Sequence, residues 1–172
     1  MNQVFYNESD RIVWEEDLED FIPYKIFDAH VHFWDDSFLP LKDPQRNNFV
    51  NSDLQITERW NKQMFPGRDF DYLVFGMPLV NADIKANNEF VVSELAGKPN
   101  SRKNRLVTPE CKTEDIYNDV VKYNFVGMKP YRQFSTTGDI NQCRIQDFLT
   151  HPQMELANEM GLFITSLSRV CG

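Results

Sequence analysis

The stretch that most constrains the fold is a nearly continuous apolar run at residues 71–77, DYLVFGM. A run of this length without alternating polar positions is typical of a β-strand that is buried on both faces. Such strands occur in parallel sheets, whose crossover connections place helices over the sheet. The run therefore predicts an α/β protein with a parallel sheet.

Strands and helices alternate along most of the chain. Short apolar segments predict further strands at residues 24–29, 105–108, 124–129 and 162–165. Helices are predicted between them at residues 83–97, from Thr113 onward, and at residues 152–161, because Asp and Thr are good N-caps, Pro is tolerated in a first turn and Gly ends helices. This order predicts parallel βαβ units with right-handed crossovers.

Two segments depart from this alternation. Residues 1–23 form a lead-in, where Trp14, Leu18 and Phe21 have the i, i+4, i+7 spacing of a short amphipathic helix. Residues 35–68 connect the first two strands and contain a predicted short helix at residues 54–64, whereas such connections usually have about 2 to 6 residues. A connection this long is either a loop that covers a pocket or a variable surface insertion.

Composition limits the size and the partners of the protein. A chain of 172 residues with 41% apolar residues suits one domain, residues 1–172, with a substantial core. The net charge of -8 argues against nucleic acid and anionic membranes as partners, because both require a basic face. The sequence has no apolar run near the roughly 20 residues that cross a bilayer, and its N-terminus, MNQVFYNESDR, lacks a signal-peptide pattern.

The cysteines indicate the compartment. Cys111, Cys143 and Cys171 are widely spaced and form no CxxC pair, so the sequence suggests neither a disulfide framework nor a thiolate zinc site. Free thiols fit a reducing environment, and the expected location is the cytoplasm.

Two of the three histidines lie two residues apart in KIFDAHVHFW, at the end of the first predicted strand. Side chains at i and i+2 of a strand point to the same face, so His30 and His32 should project together, with Asp28 on the same side. Neutral imidazole binds zinc, iron and nickel, and parallel α/β sheets carry their chemistry at the carboxyl ends of strands. The pair is either part of a metal site or two hydrogen-bonded core or surface histidines. His151 precedes Pro152 at a helix start and is expected to be a cap or surface residue.

The stretch FDAHVHFW resembles the first-strand metal motif of the amidohydrolase superfamily. Four later stretches resemble its amidohydrolase-2 branch, the group of the aminocarboxymuconate-semialdehyde decarboxylases: LVTPECKTEDI, FVGMKPYRQFS, TGDINQCRIQDFL and ELANEMGLFIT. The resemblance extends from about Tyr24 over most of the chain. It implies a (β/α)8 TIM-barrel type fold and a divalent metal, usually zinc, that activates water for hydrolysis or polarises a carboxylated substrate for decarboxylation.

The resemblance also implies roles for individual residues. His30 and His32 would be metal ligands. Lys129 matches a position where several members have a lysine that bridges two metals as its carbamate or contacts substrate; an ion-paired or solvated lysine is the alternative. Arg132 could pair with a substrate carboxylate or be a surface arginine. Asp28 would orient an imidazole from outside the metal shell or be a structural hydrogen-bond acceptor.

The sequence departs from the family pattern after the fourth strand. Members have a histidine at the end of the fifth strand, another on the sixth and an aspartate on the eighth, whereas this chain has Ser166 or Leu167 at the first of these positions. A barrel of this type needs about 250 residues, so 172 residues suffice for about five of the eight parallel strands. We expect a truncated or frameshifted product of a longer gene. A homo-oligomer that covers the open sheet edges and a stable open-sheet relative without catalysis are the alternatives.

The leading functional expectation is therefore a divalent-metal-dependent hydrolase or decarboxylase that acts on a small carboxylated, amide or ester substrate. The chain would be its N-terminal portion, incomplete and inactive alone. The alternative is a non-catalytic half-barrel that serves as a binding or assembly module. Glu110 and Cys111, at the end of the third predicted strand, are weaker pocket candidates.

Overall fold

The computed structural model describes residues 6–48 and 50–166. The strands are β1 (Lys25–Phe33), β2 (Asp69–Gly76), β3 (Arg102–Val107), β4 (Gly127–Pro130) and β5 (Phe163–Ile164). The helices are α1 (Glu8–Val13), α2 (Leu54–Met64), α3 (Ile84–Glu94), α4 (Thr113–Tyr123) and α5 (His151–Met160). A π-helical turn, Trp14–Leu18, continues α1, and the 3-10 turn Leu95–Gly97 continues α3.

The five strands form one sheet in the order β1-β2-β3-β4-β5, and every neighbouring pair is parallel. The predicted α/β class with a parallel sheet is thus confirmed. Because strand order follows chain order, each connection moves one position in the same direction, and right-handed crossovers then place α3, α4 and α5 over the same face. We call this the helix-facing side and the opposite one the inner side.

Apolar side chains alternate between these two sides in step with the pairing. On the helix-facing side, Tyr72 and Val74 of β2 pack with Val91 of α3, and Met128 of β4 packs with Ile116 of α4. These side chains are all fully buried. Their burial removes apolar surface from water at about 25 cal/mol per Å2, which is the main force holding the helices on the sheet.

Strand β1 contains a β-bulge between Asp28 and Val31, a segment that includes His30. Asp28 is in register with Tyr72, and Val31 is in register with Val74, so three steps along β1 match two along β2. A bulge of this kind adds a residue and reverses the alternation of side chains that follow it. The strict alternation that placed Asp28 beside the histidines therefore does not hold: Asp28 matches helix-facing Tyr72, whereas His32 is in register with Phe75 on the inner side.

The lead-in helix begins earlier than the apolar spacing predicts. Asn7 caps α1 with a reciprocal capping box, and Trp14 is buried, but Phe21 is 83% exposed. The backbone N–H of Glu19 donates to the carbonyl of Trp14 in an i to i+5 hydrogen bond. This wider turn changes the angle between residues, so Phe21 no longer follows Trp14 onto the buried face.

Most predicted helix boundaries agree with the structure, whereas β1 extends four residues past its predicted end, and β3 begins three residues earlier and β4 three residues later than predicted. Asp83 caps α3 by accepting a hydrogen bond from the N–H of Ala86, and Gly161 ends α5 in the left-handed conformation. Helix α2 has the predicted bounds within the long connection. Helix α4 is capped by Lys112 rather than Thr113, and Lys112 provides no side-chain hydrogen bond.

The long connection at residues 35–68 folds back against the carboxyl end of β1. Ser52 forms an antiparallel bridge with Trp34, and Leu39 is buried with Trp34 and Leu79. The N–H of Asp83 donates to the carbonyl of Phe38, which joins the connection to the start of α3. Its first half is thus packed beside the strand ends that carry the candidate site. No helix in the described part of the chain has the length and hydropathy needed to cross a bilayer.

Candidate functional site

Polar and aromatic side chains meet on the inner side, at the carboxyl ends of β1, β2 and β4. The rings of His30 and His32 have centroids 5.3 Å apart, which confirms that they project together. Both rings meet Phe75 edge to face, with centroid distances of 4.9 and 4.7 Å. Lys129 from β4 and Tyr131, just after it, complete a group that we call the histidine–lysine site.

The hydrogen bonds of His32 determine its tautomer. Its Nδ1 lies 3.0 Å from the carbonyl oxygen of Gly76, and its Nε2 lies 3.2 Å from the hydroxyl of Tyr131. Because a carbonyl only accepts, Nδ1 carries the hydrogen in the neutral ring and Nε2 carries the lone pair. Tyr131 is therefore the donor in its hydrogen bond with His32.

Burial keeps His32 neutral. It lowers the pKa of His32 to about 4; the bond to the Gly76 carbonyl opposes this shift, and the charges of His30 and Lys129 add to it. The pKa of His30 is also lowered, first by burial and then by the charge of Lys129, while Asp28 opposes the shift. Both rings are thus available as neutral nitrogen donors near pH 7.

Lys129 is fully buried, and its Nζ has no hydrogen-bond partner among the described residues. The nitrogen lies 4.2 Å from the ring centroid of Phe75 and 5.0 Å from that of Tyr131, so its neighbours are aromatic faces. Burial lowers the pKa of Lys129 to about 8. Lys129 therefore gives up its proton more easily than an exposed lysine does, although near pH 7 it is still mostly the ammonium form.

Tyr131 belongs to this site but was not predicted from the sequence. It has an extended backbone, with φ -137° and ψ 144°, two residues after Lys129. Side chains at i and i+2 of an extended segment share a face, so the rule that paired the histidines could have found it. Burial raises the pKa of Tyr131, which keeps its hydroxyl protonated.

Helix α3 supports the site from the other side of the sheet through Asn87. The amide of Asn87 accepts from the N–H of Met77 and donates to the carbonyl of Phe33, both at 3.0 Å. A Cβ added to Gly76 would lie 2.4 Å from Oδ1 of Asn87. Glycine at this position thus lets α3 hold the strand ends while the Gly76 carbonyl holds His32.

The carboxylate of Asp28 accepts a hydrogen bond from the backbone N–H of His30, at 3.0 Å. Within the described residues, no hydrogen bond joins it to either imidazole. Arg132 opens the 3-10 turn Arg132–Phe134, and its side chain makes no hydrogen bond or ion pair within residues 6–48 and 50–166. Both residues remain candidates rather than observed members of the site.

The remaining candidates lie elsewhere. Cys111 packs against the core on the helix-facing side, and Glu110 is exposed. His151 is exposed at the first position of α5, as predicted. Ser166 is exposed, whereas Leu167 and Cys171 lie outside the described residues.

The donor chemistry of the histidine–lysine site suits a divalent transition metal. His30 and His32 offer imidazole nitrogens, and the unpartnered Nζ of Lys129 is buried beside them. His32 has the arrangement usual in metal-bound histidines, in which one ring N–H donates to a carbonyl and orients the ring. In the described residues, no three His, Cys, Asp or Glu side chains converge on one metal position. The site thus supplies two imidazoles and an amine.

Comparisons with protein-family models, with curated proteins and with solved structures find no match to this chain. A functional assignment therefore depends on the geometry of the histidine–lysine site.

Proposed function

We propose that this chain forms the β1 and β4 part of a divalent-metal site in a hydrolase or decarboxylase of the amidohydrolase type. The observation that carries the proposal is the convergence of His30, His32 and Lys129 on the inner side of the sheet, at the carboxyl ends of its strands. Zinc is the expected metal because it prefers nitrogen ligands of this kind.

The strand order supports a barrel. Doubly wound sheets reverse their strand order at a switch point and have helices on both faces. Here the order β1-β2-β3-β4-β5 is sequential, which is the order of a (β/α)8 barrel. We infer that the sheet corresponds to the first five strands of a TIM barrel, whose interior would be the inner side.

In this proposal, His30 and His32 hold the metal through ring nitrogens, and their lowered pKa values keep both rings unprotonated for that purpose. A bound metal supplies Lewis acidity and lowers the pKa of a bound water toward about 7. Lys129 would either contact the metal or bind a substrate carboxylate, and Arg132, in the turn that follows β4, is the candidate partner for the same carboxylate. The substrate would be a small carboxylated, amide or ester compound in the cytoplasm.

Metal content tests this proposal. We expect the metal-depleted chain, reloaded with zinc and desalted, to retain close to one equivalent by elemental analysis. The variants His30→Ala and His32→Ala should each lose most of it, because each change removes one of the two imidazoles that the proposal assigns to the metal. His151→Ala is the matched control: His151 is exposed on α5, so this variant should retain zinc. Zinc no higher than background in the unmodified chain, or full retention after both replacements, would refute the metal site.

A second candidate is a non-catalytic assembly module. It is favoured by the exposure of Phe163 and Ile164, 71% and 44%, on β5 at the edge of the sheet. An edge strand with exposed apolar side chains favours pairing with another chain. Self-association that depends on these residues, in a chain that binds no metal, would support this function instead.

A further inference from the structure

A hydroxyl group occupies the ring nitrogen through which His32 would bind a metal. The Gly76 carbonyl fixes the hydrogen on Nδ1, so the only lone pair of the neutral ring is on Nε2. Tyr131 donates its O–H to that lone pair at 3.2 Å. One lone pair accepts either a hydrogen bond or a metal ion.

We propose that Tyr131 is a positioning residue that competes with the divalent metal for Nε2 of His32. Metal binding then breaks the O–H···N hydrogen bond and moves the Tyr131 hydroxyl away from the ring. This inference rests on the proposed metal site, and it adds a residue that the amidohydrolase resemblance did not assign.

His32 cannot avoid this competition by rotating its ring. Rotation would break the hydrogen bond to Gly76 and would disturb the edge-to-face contact with Phe75, whose centroid lies 4.7 Å away. It is therefore Tyr131, in the segment after β4, that moves. Its backbone is followed by a 3-10 turn rather than a further ladder of strand hydrogen bonds, which leaves it freer than His32 within β1.

Displacement of Tyr131 also affects Lys129. The Nζ of Lys129 lies 5.0 Å from the centroid of the Tyr131 ring, and in the described part of the chain its other close aromatic ring is that of Phe75. A shift of the ring on metal binding would uncover one side of the buried amine. Metal binding at His32 and access to Lys129 are thereby linked through a single side chain.

The test compares the full-length chain with Tyr131→Phe, which removes the hydroxyl and keeps the ring beside Lys129. Zinc affinity is measured in metal-depleted protein by competition with a chromophoric chelator at one fixed pH. We expect the Kd of Tyr131→Phe to be about fivefold lower, which corresponds to about 1 kcal/mol, the typical net value of one hydrogen bond. Tyr117→Phe is the control, because Tyr117 is 49% exposed on α4, and its affinity should equal that of the unmodified chain.

A second measurement needs no variant. In 15N-labelled protein without metal, the Nε2 resonance of His32 should show the shift of a hydrogen-bonded acceptor, and the Nδ1–H should be retained. Adding zinc should break the hydrogen bond from the Tyr131 hydroxyl to Nε2, while the Nδ1–H signal of His32 is retained. Persistence of the O–H···N bond in the zinc-bound protein overturns the inference.

The possible results separate this inference from the proposed function. If zinc binds through His30 and His32 but Tyr131→Phe has unchanged affinity, only the competition is refuted. Weaker binding by Tyr131→Phe also refutes it, because Tyr131 would then be a ligand. If neither protein binds zinc, the proposed function fails and the competition fails with it.

Discussion

At the scale of single residues, the state of His32 follows from its two hydrogen bonds and its burial. Sequence could predict that His30 and His32 share a face, because the two residues are only two positions apart in an extended segment. The sequence could not predict that the carbonyl of Gly76 and the hydroxyl of Tyr131 would be hydrogen-bond partners of His32. These residues lie 44 and 99 positions away from it in the chain. The chemistry of the ring is set by those distant groups.

A pH titration of the metal-free protein tests this description of His32. We expect its ring to titrate near pH 4 by NMR, and that of His30 to titrate below the ordinary value of 6.5. Because the folded pKa of His32 is lowered, the unfolded chain binds more protons between about pH 6.5 and 4. The contribution of His32 to the free energy of unfolding is therefore full above pH 6.5 and is lost as the pH falls through this window.

The free energy of unfolding of His32→Gln, measured by urea titration, should lack that part of the pH dependence. A ring of His32 that titrates at or above 6.5 would contradict the geometry.

Lys129 should lower the stability of the fold, because a charged group that is buried without a hydrogen-bond partner has lost its hydration. We expect Lys129→Met to raise the free energy of unfolding at pH 7 by about 3 kcal/mol, because the folded pKa of about 8 lies well below the ordinary 10.5 and one pKa unit corresponds to about 1.4 kcal/mol. The folded pKa of about 8 lies below the ordinary 10.5, so the stability of the unmodified protein should rise between pH 8 and 10.5. Lys129→Met should lack this rise. Lys62→Met, at an exposed position of α2, is the control and should leave it intact. A less stable Lys129→Met would mean that the amine has a stabilising partner.

At the scale of elements, helix α3 holds the strand ends through two consecutive asparagines. Asn87 joins β1 to the residue after β2, and Asn88 bonds both the N–H and the carbonyl of Leu106 in β3, at 2.8 and 3.0 Å. Strands β2 and β3 are paired at only two residue positions, Leu73 with Arg102 and Val74 with Lys103. Leu106 lies beyond this pairing, and Asn88 provides hydrogen bonds for its backbone groups there.

The bounds of α3 were predictable, but the role of its asparagines was not. Asp83 is a strong N-cap, and apolar spacing gives the length of the helix without reference to the rest of the chain. Buried Asn87 and Asn88 violate the apolar pattern of a core-facing helix, and only the positions of the strand ends explain them. The bulge in β1 was missed for the same reason: it is visible in the pairing with β2 and leaves no mark in the local pattern.

Gly76 tests the contact between α3 and the strand ends. We expect Gly76→Ala to lower the free energy of unfolding by about 2 kcal/mol, because its Cβ would lie 2.4 Å from Oδ1 of Asn87. In the Asn87→Ala background the same change should cost less than about 1 kcal/mol, since the obstructing amide is gone. Chemical denaturation of the four proteins in this double-mutant cycle measures the coupling.

Gly97→Ala is the control for that cycle, as an added Cβ there meets no atom within 4 Å. Its effect should be near zero. Equal costs of Gly76→Ala in both backgrounds would show that the contact with Asn87 does not determine the need for glycine.

At the scale of the whole molecule, the sheet is defined by sequential parallel pairing. The class and the number of strands were predictable because each strand is a local apolar run and each helix has its own end signals. Edges are a property of the assembled sheet and depend on which strand ends up last in the order. In the described chain, β5 pairs with β4 on one side, and Phe163 is 71% exposed.

This exposed edge predicts concentration-dependent self-association. We expect light scattering coupled to size exclusion to give a mass that rises above the 20.3 kDa of one chain as the protein is concentrated. Phe163→Lys should keep the protein monomeric, because a charged side chain on an edge strand opposes pairing, while the backbone hydrogen bond from Phe163 to Val126 is kept. Phe21→Lys is the matched control, since Phe21 is 83% exposed but lies in the lead-in rather than on the sheet. Association that survives Phe163→Lys and is lost in Phe21→Lys would place the interface on the lead-in, and the edge of β5 would then have no part in it.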